Sequence, residues 1–424
     1  MTGPFGKRGL LLTILLASAV EARAAIVTLS RSEACPGQEV LITGSGWLEP
    51  PPSCFYTFLF DTQIGTFVSV APNQPDGLFG PPNSSFVVPA DAQVGPHTVK
   101  VQLYLDTGEF LQEATQPLTV VGVTFEGASD CAKTDGGFDS TAQTADQPWL
   151  SAVIKRTVKN AVAKVKPPSA SGDMEFRSSD EAVFTVKPPK ATGESTTLKV
   201  KGVAAGSAKV EAFMEEDGAE AVCGELNVVV YKAKTVKVAM HIVQLDGCPK
   251  PKAKVSAKKI EKAMEKMWDQ AGIDFKVTVD TRTGTKAIKA ADADADCKAD
   301  EVAGDPPSGA VTFGPELMAI HDAAKAASTD VDVYFVQDYQ YPFGAYHTAP
   351  KAIFVMALED QAAGTTLATD LLVAHELGHH LDLAHCDGDT DCHDLGIDDL
   401  MHSANEGCRM YKSQWDTSNA KAGP

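Results

Sequence analysis

The sequence predicts two all-β sandwiches followed by an α/β domain. Residues 25–122 and 123–232 contain short runs of alternating apolar and polar residues separated by Gly and Pro, which is typical of antiparallel strands in sandwiches. Residues 233–424 follow a different order of strand, helix, strands and helix, which favours helices packed on a sheet. The chain has 424 residues, a length that also favours several domains over one.

Residues 1–24 are typical of a secretory signal peptide, which lies outside the fold. Two basic residues, Lys7 and Arg8, precede an apolar run that ends at Val20, and a small-residue cleavage site ends at Ala24. We therefore expect a secreted or extracytoplasmic location, in the periplasm or at the cell surface. No later segment reaches the roughly 18 apolar residues of a membrane helix, so no membrane span is expected.

Net charge and cysteine content narrow the class of protein further. The formal net charge of −19 repels phosphate groups, so no nucleic-acid partner is expected. The chain has nine cysteines, and in an exported protein these are disulfide candidates. Their grouping by domain suggests the pairs Cys35–Cys54, Cys131–Cys223 and Cys248–Cys297, and a fourth pair from Cys386, Cys392 and Cys408 with one cysteine left over.

Short motifs in the two β regions indicate the kind of sandwich. Residues 44–47, 88–92 and 95–99 read GSGW, VPADA and GPHTV, and they resemble bacterial immunoglobulin-like modules. In the second region the segment 178–186 leads to 200–210, where a Gly-x-x-x-Gly turn joins two strands. This pattern resembles the group 2 bacterial immunoglobulin-like domain. The resemblance implies spacer or adhesion modules, whose partner would be a cell-surface or matrix ligand.

The α/β domain is expected to begin with a strand, in which apolar residues alternate at Val236, Val238, Met240 and Ile242. An amphipathic helix should follow and end at Gly272, with one apolar face formed by Ile260, Met264, Met267, Trp268 and Ala271. Further strands are expected at 275–279, 331–336 and 352–356, and residues 281–310 have the composition of a surface insertion. A long helix should start near Thr366.

That last helix carries the residues that indicate chemistry. His375 and His379 are four residues apart, so both imidazoles project from one helix face and can bind one zinc ion at about 2.0–2.1 Å. Glu376 stands beside the first ligand. There it can take a proton from zinc-bound water, whose pKa the metal lowers to about 7, and later deliver it to the leaving amine. His385 follows where a chain leaving the helix can turn back as a third ligand.

Met401, sixteen residues after His385, completes a pattern that resembles the metzincin superfamily of metallopeptidases. The resemblance implies one catalytic Zn²⁺ bound by His375, His379 and His385, with Glu376 as general base and Met401 in the Met-turn. It also implies a twisted, mostly parallel sheet with an active-site helix. The expected function is that of a secreted zinc-dependent endopeptidase that hydrolyses peptide bonds in protein or peptide substrates.

Two further expectations concern the surroundings of this site. The family has Gly where Asp382 stands, because the residue that ends the helix needs a positive φ, and Asp tolerates this conformation better than most residues. The family also has a rim strand that binds substrate through its backbone. Gly344, Ala345 and Tyr346 lie where that strand belongs, and they are the predicted substrate-binding residues.

Alternatives remain open on the sequence alone. A protein of another class, an adhesion or binding protein with immunoglobulin-like modules and a catalytically impaired zinc site, fits the same domain order. A purely structural zinc is less consistent with Glu376. The acidic loop 387–391 leaves room for Ca²⁺, although its spacing matches no calcium motif and a disulfide-tied loop is the simpler interpretation. His380 is expected at the surface or behind the ligands.

Overall fold

The computed structural model describes residues 25–47, 54–61, 63–68, 85–105, 107–127, 137–140, 148–168, 170, 173–216, 219–248, 257–279, 288–290, 299, 315–324, 329–336, 344–348, 351–356, 369–385, 400–401 and 410–422. The predicted signal peptide and the loop 387–391 lie outside these residues. By its internal contacts the chain divides into two compact units, Met1–Ala92 with Pro96–Val120, and Gln93–Gly95 with Val121–Pro424.

The first unit is a β-sandwich. Its described strands are β1 (Ile26–Leu29), β2 (Glu33–Ala34), β3 (Glu39–Ser45), β4 (Cys54–Phe60), β5 (Gln63–Val68), β6 (Ser85–Val87), β7 (Gly95–Leu105) and β8 (Phe110–Val120). They form one sheet in the order β1-β3-β6 and another in the order β2-β8-β7-β4-β5. Alternate residues of both sheets, such as Ile42 and Phe58, share one apolar core, as expected for facing sheets.

The second unit begins with another β-sandwich. Its described strands are β9 (Gly122–Gly127), β10 (Phe138–Asp139), β11 (Trp149–Val153), β12 (Thr157–Lys166), β13 (Met174–Ser178), β14 (Phe184–Lys187), β15 (Lys190–Ala191), β16 (Ser195–Gly202), β17 (Gly206–Glu216) and β18 (Ala219–Tyr231). The sheet orders are β10-β11-β18-β17-β13-β15 and β14-β16-β12-β9. The glycines at 202 and 206 therefore flank a turn that carries the chain from one sheet to the other. A Cβ at Gly202 would lie 2.5 Å from the Val153 carbonyl oxygen.

The α/β part of the second unit follows directly. Its described elements are β19 (Lys234–Leu245), α1 (Ala257–Trp268), a 3₁₀ turn (Asp269–Ala271), β20 (Ile273–Val279), β21 (Ile288–Ala290), α2 (Pro315–Ala324), β22 (Val331–Val336), β23 (Gly344–Thr348), β24 (Lys351–Met356), α3 (Thr369–His380) and α4 (Lys412–Lys421). The sheet order is β20-β19-β22-β24-β23, with β21 also paired to β19. Strands β20, β19, β22 and β24 run parallel, and β23 is antiparallel to β24.

Helices cover both faces of this sheet. One face packs against α1 and α3 through a core that includes Met264, Trp268 and Leu377. The other face packs against α2 through residues such as Leu317 and Phe354. Because β19 and β22 are covered on both sides, they are apolar along most of their length, as is usual for parallel strands.

The α/β part and the second sandwich contact each other within this unit. Val229 and Tyr231 at the end of β18 belong to the same apolar core as α1 and α3. Arg156 donates hydrogen bonds to Asp274 at 2.6 and 2.7 Å and to Asp269 at 2.6 Å. These bonds to Asp274 and then Asp269 raise the pKa of Arg156 and attach β12 to the region where α1 ends.

Most expected elements are found in the structure. The all-β sandwiches and the mostly parallel α/β sheet are confirmed, and the first helix ends at Gly272, whose φ is 67°. The domain boundary at 232 stays a prediction. Three elements were not expected from sequence, namely α2, α4 and the short strand β21 inside the expected surface insertion. Among the described residues, no helix has the length and apolar character needed to cross a membrane.

Among the described residues, Cys35, Cys223 and Cys248 are disulfide-bonded. Cys131 and Cys297, the partners suggested by sequence for the latter two, lie outside the described residues. The pairings therefore stay predictions, whereas the expectation that cysteines of this chain form disulfides is confirmed.

The Gly272 turn gives a test of backbone strain with a matched control. Its φ of 67° is left-handed, and a Cβ there would lie 2.7 Å from the Tyr231 Cβ. We expect Gly272→Ala to lower the free energy of unfolding by about 1–2 kcal/mol for the conformation alone, and by more because of the clash. Gly247 has a φ of 85°, and a Cβ added there would have none of the described atoms within 4 Å, so Gly247→Ala should show only the conformational part. Urea unfolding measures the loss of stability in both variants. Equal losses would contradict a clash at Gly272.

Candidate metal centre

Helix α3 presents the first two histidines from a buried position. Val373, Ala374 and Leu377 are fully buried in the core shared with α1, so packing holds the helix on most of its sides. His375 is 1% exposed and His379, one turn later, is partly buried. A helix fixed in this way gives two imidazoles a defined separation before any ligand binds.

A left-handed turn at Asp382 ends the helix. The Asp382 N–H donates to the His379 carbonyl at 3.1 Å, and the Leu383 N–H donates to the Gly378 carbonyl at 2.9 Å. This hydrogen-bond pair is a Schellman motif, which needs a positive φ at the residue after the helix. Asp382 has a φ of 66°. The expectation from sequence for Asp382 is therefore confirmed, although glycine is the usual residue at such a position.

The turn brings His385 back to the helix. Its Nε2 lies 3.0 Å from the Nε2 of His375 and 3.1 Å from the Nε2 of His379. The ligand atoms of these three residues all lie within 4.8 Å of one another, which is close enough to hold one metal ion. They are the group of this kind found among the His, Cys, Asp and Glu residues of the described part of the chain. The structure thus brings together the three predicted ligands.

The opposite ring nitrogens determine the tautomers. His375 Nδ1 donates to the Leu400 carbonyl at 2.8 Å, and His379 Nδ1 donates to the Leu383 carbonyl at 2.8 Å. A carbonyl oxygen only accepts, so Nδ1 carries the proton in both rings. In the neutral imidazoles the Nε2 lone pairs then point into the cluster, which is the usual arrangement for histidine ligands with a backbone partner.

The cluster fits a divalent cation better than it fits hydrogen bonding. When the rings are neutral, the Nε2 atoms of His375 and His379 carry no proton, so only His385 Nε2 can donate. Its single proton can form a hydrogen bond in one of the two close contacts and leaves the other contact without one. Burial is the main cause that lowers the pKa of His379, the hydrogen bond with the Leu383 carbonyl opposes it, and the neighbouring His385 lowers it further, so protonation of His379 is disfavoured. Tetrahedral ligands about 2.0–2.1 Å from zinc lie about 3.3–3.4 Å apart, close to the separations found here.

Met401 and Gly378 support the helix from the side. Met401 is fully buried, and a Cβ at Gly378 would lie 2.2 Å from its sulfur. Only a residue without a side chain leaves room for this contact. Sequence reasoning assigned Met401 to this neighbourhood but missed Gly378, whose position inside a helix was the available signal because glycine is disfavoured there.

Glu376 and the predicted rim strand also lie in this region. Glu376 is 5% exposed and follows His375 directly on α3. Strand β23, which contains Gly344, Ala345 and Tyr346, is the last strand at one end of the described sheet order, and α3 lies against it. The stretch is thus a strand as expected, while its role in substrate binding stays a prediction.

Other candidate residues fall elsewhere. His380 is buried and does not lie at the surface, and desolvation is the main cause that lowers its pKa to about 4. Cys386, His393, His402 and the loop 387–391 lie outside the described residues, and the Ca²⁺ interpretation stays untested. The carbonyls of Leu383 and Leu400 were not identified from sequence, because backbone acceptors carry no residue signature.

Comparisons with known proteins concern the fold alone. No protein-family model matches the chain, and no curated protein matches it. In structure it is similar to the fibronectin(III)-like modules of Clostridium thermocellum CbhA, with 13% identity, 49% of this chain and 95% of that chain covered, and a TM-score of 0.18.

Two other similar structures are of the same kind. The D0-D1 domain of intimin has 9% identity over 48% of this chain and 97% of that chain, with a TM-score of 0.18. The tandem Ig repeats of Dlar have 12% identity over 50% of this chain and 100% of that chain, with a TM-score of 0.17. These neighbours are immunoglobulin-like or fibronectin-like all-β domains, and the sandwich class of this chain rests on the strand orders described above.

The contact between Gly378 and Met401 gives a test of the packing beneath the ligands. We expect Gly378→Ala to destabilise the second unit by about 1–3 kcal/mol, as overpacking of a core does. Adding Met401→Ala to this variant makes room for the methyl group, so the double variant should lose less stability than the two single losses combined. Thermal unfolding of all three variants measures this coupling, and strict additivity would contradict the contact.

The role of His385 is tested by metal affinity. We expect His385→Ala to weaken zinc binding by more than about 100-fold, since loss of even an outer-shell partner costs about 10- to 100-fold. His97→Gln is the control, because His97 belongs to the first sandwich, where it pairs with Asp61, and it should keep the affinity of the parent. Competition with a chromophoric chelator measures both, and equal effects of the two variants would argue against His385 as a ligand.

Proposed function

We propose that the chain is a secreted zinc-dependent endopeptidase of the metzincin type. The observation that carries this proposal is the convergence of three imidazole Nε2 atoms, two of them with Nδ1 bonded to a backbone carbonyl. The sheet order with an antiparallel strand at one end and the contact of Met401 with the ligand helix support the same assignment. When bound, zinc supplies Lewis acidity, which polarises a carbonyl and makes water easier to deprotonate.

In this proposal Glu376 is the general base. Glu376 is buried and follows His375 directly on α3. The carboxylate accepts a proton from the attacking water and passes it to the nitrogen of the leaving amine. His375 and His379, with Nδ1 bonded to backbone carbonyls, and His385 would hold the zinc ion through their Nε2 atoms.

Substrate binding is assigned to the backbone of β23. Among the described strands, β23 pairs with β24 on one side only, and we assign the other side of Gly344–Tyr346 to the substrate. An extended peptide would add there as a further strand. Such binding is insensitive to most side chains, so sequence preference would come from pockets beside the strand.

The rival function is that of an adhesion or binding protein whose zinc site has lost activity. The β-sandwiches, which fill the described residues from 25 to 231, are the observation that favours it. Asp382 does not favour it, because this residue adopts the left-handed conformation that the motif needs. In both functions the sandwiches would present surfaces to a cell-surface or matrix ligand.

Peptide cleavage by matched variants separates the two functions. We expect wild type to bind one zinc ion and cleave unstructured proteins, and Glu376→Gln to keep the zinc while cleavage falls about 10²- to 10⁴-fold. Glu265→Gln is the control, since Glu265 is an exposed carboxylate on α1 and its loss should leave cleavage unchanged. Zinc content and release of fluorescent peptides from a broad library are measured together. Bound zinc without cleavage by wild type would establish the rival function.

A further inference from the structure

Helix α4 is capped by the second sandwich. The backbone N–H of Lys412, the first residue of α4, donates to Asp139 Oδ2 at 3.0 Å. Asp139 belongs to β10, and it is 4% exposed. A carboxylate at this position satisfies one of the free N–H groups of the first helical turn and interacts favourably with the helix dipole. The cap comes from a residue 273 positions earlier in the chain.

Side chains of α4 make further contacts with the same sandwich. Tyr231 donates its hydroxyl hydrogen to Asp416 Oδ1 at 2.6 Å. The ammonium group of Lys412 lies 4.7 Å from the centre of the Trp149 ring, within the range of a cation–π interaction. Trp415 is fully buried, and a Cβ at Gly137 would lie 2.4 Å from its Cζ2. The first half of α4 is therefore built into the sandwich surface.

The other end of α4 reaches the metal centre. The ammonium group of Lys421 pairs with the carboxylate of Asp382, the residue whose left-handed conformation turns the chain back from α3. The neighbouring Leu383 carbonyl accepts the Nδ1 hydrogen bond of His379, and His385 follows two residues later. Lys421 is the only basic residue in the last turn of α4, where the helix dipole also favours a cation.

The second half of α4 is also attached to the sheet domain itself. Asn419 Nδ2 donates to the Ala271 carbonyl at 2.7 Å, next to the Gly272 turn. The helix thus has anchors at three places, namely Asp139 and Tyr231 of the sandwich, the end of α1, and the Asp382 turn. A displacement at the first anchor would be transmitted to the third because ten residues of regular helix join them.

We propose that the second β-sandwich is a positioning element of the metal centre and acts through α4 on the turn that carries His385. This inference rests on the proposed zinc site. Lys421 and Asp382 are 47% and 56% exposed, so water screens their attraction and the contribution of this pair is modest. The ion pair acts on the position of the third ligand, His385. Metal affinity is therefore the quantity that reports its effect.

The test uses the full chain and zinc affinity measured by chelator competition. Asp382→Asn keeps a residue that tolerates positive φ but removes the charge, and Lys421→Met removes the partner charge. We expect each variant to weaken zinc binding about 2- to 5-fold, the range of an exposed ion pair. The double variant should bind zinc as tightly as either single variant, because both changes remove the same ion pair. At the distant end, Tyr231→Phe removes only the hydrogen bond to Asp416, and it should weaken zinc binding in the same direction.

The control is Glu220→Gln, which removes the ion pair of Glu220 with Arg177 elsewhere on the same sandwich. It should leave zinc affinity unchanged. Thermal unfolding of the metal-free variants shows whether each is folded, and Lys421→Met keeps the test valid if Tyr231→Phe unfolds. If wild type binds zinc and Lys421→Met and Tyr231→Phe bind it with the same affinity, this inference is overturned while the proposed zinc site stands. Absence of zinc binding by wild type would overturn the proposed site itself.

Discussion

The left-handed conformation of Asp382 is the constraint on which the histidine cluster depends. With φ at 66° the chain leaves α3 and immediately turns back, so His385 can approach two residues that lie on the helix face. The same turn places the Leu383 carbonyl against His379 Nδ1. One backbone conformation therefore determines both the position of the third imidazole and the tautomer of the second, and any residue that avoided positive φ would disturb both.

The burial of α3 supplies the second requirement, rigidity. Its apolar residues Leu372, Val373, Ala374 and Leu377 are buried in the core, and Gly378 is in contact with the Met401 sulfur. A methyl group at position 378 would separate these two elements and move the Leu400 carbonyl, which accepts from His375 Nδ1. The packing beneath the helix and the hydrogen bonds of the ligands thus depend on the same short segment around residues 400–401.

The sequence predicts the ligand helix well because its signal is local. Two histidines at a spacing of four share a helix face whatever surrounds them, and Asp382 could be recognised as a residue compatible with positive φ. The part that could not be predicted depends on contacts between distant residues. Helix α4 has the sequence KSQWDTSNAK, with few strong helix formers and one large apolar residue, so its conformation comes from Asp139, Tyr231 and Gly137. Nothing in the sequence identified the role of Lys421, because its ion pair with Asp382 is known only from the folded chain.

The cap of α4 by Asp139 also bears on how the chain folds. The two residues in contact are 273 positions apart, and the α/β sheet lies between them in the chain. Closing such a contact has a large entropic cost that only the assembled sheet can offset. The second sandwich and the α/β part, which belong to one compact unit, are therefore expected to reach their final form together, late in folding.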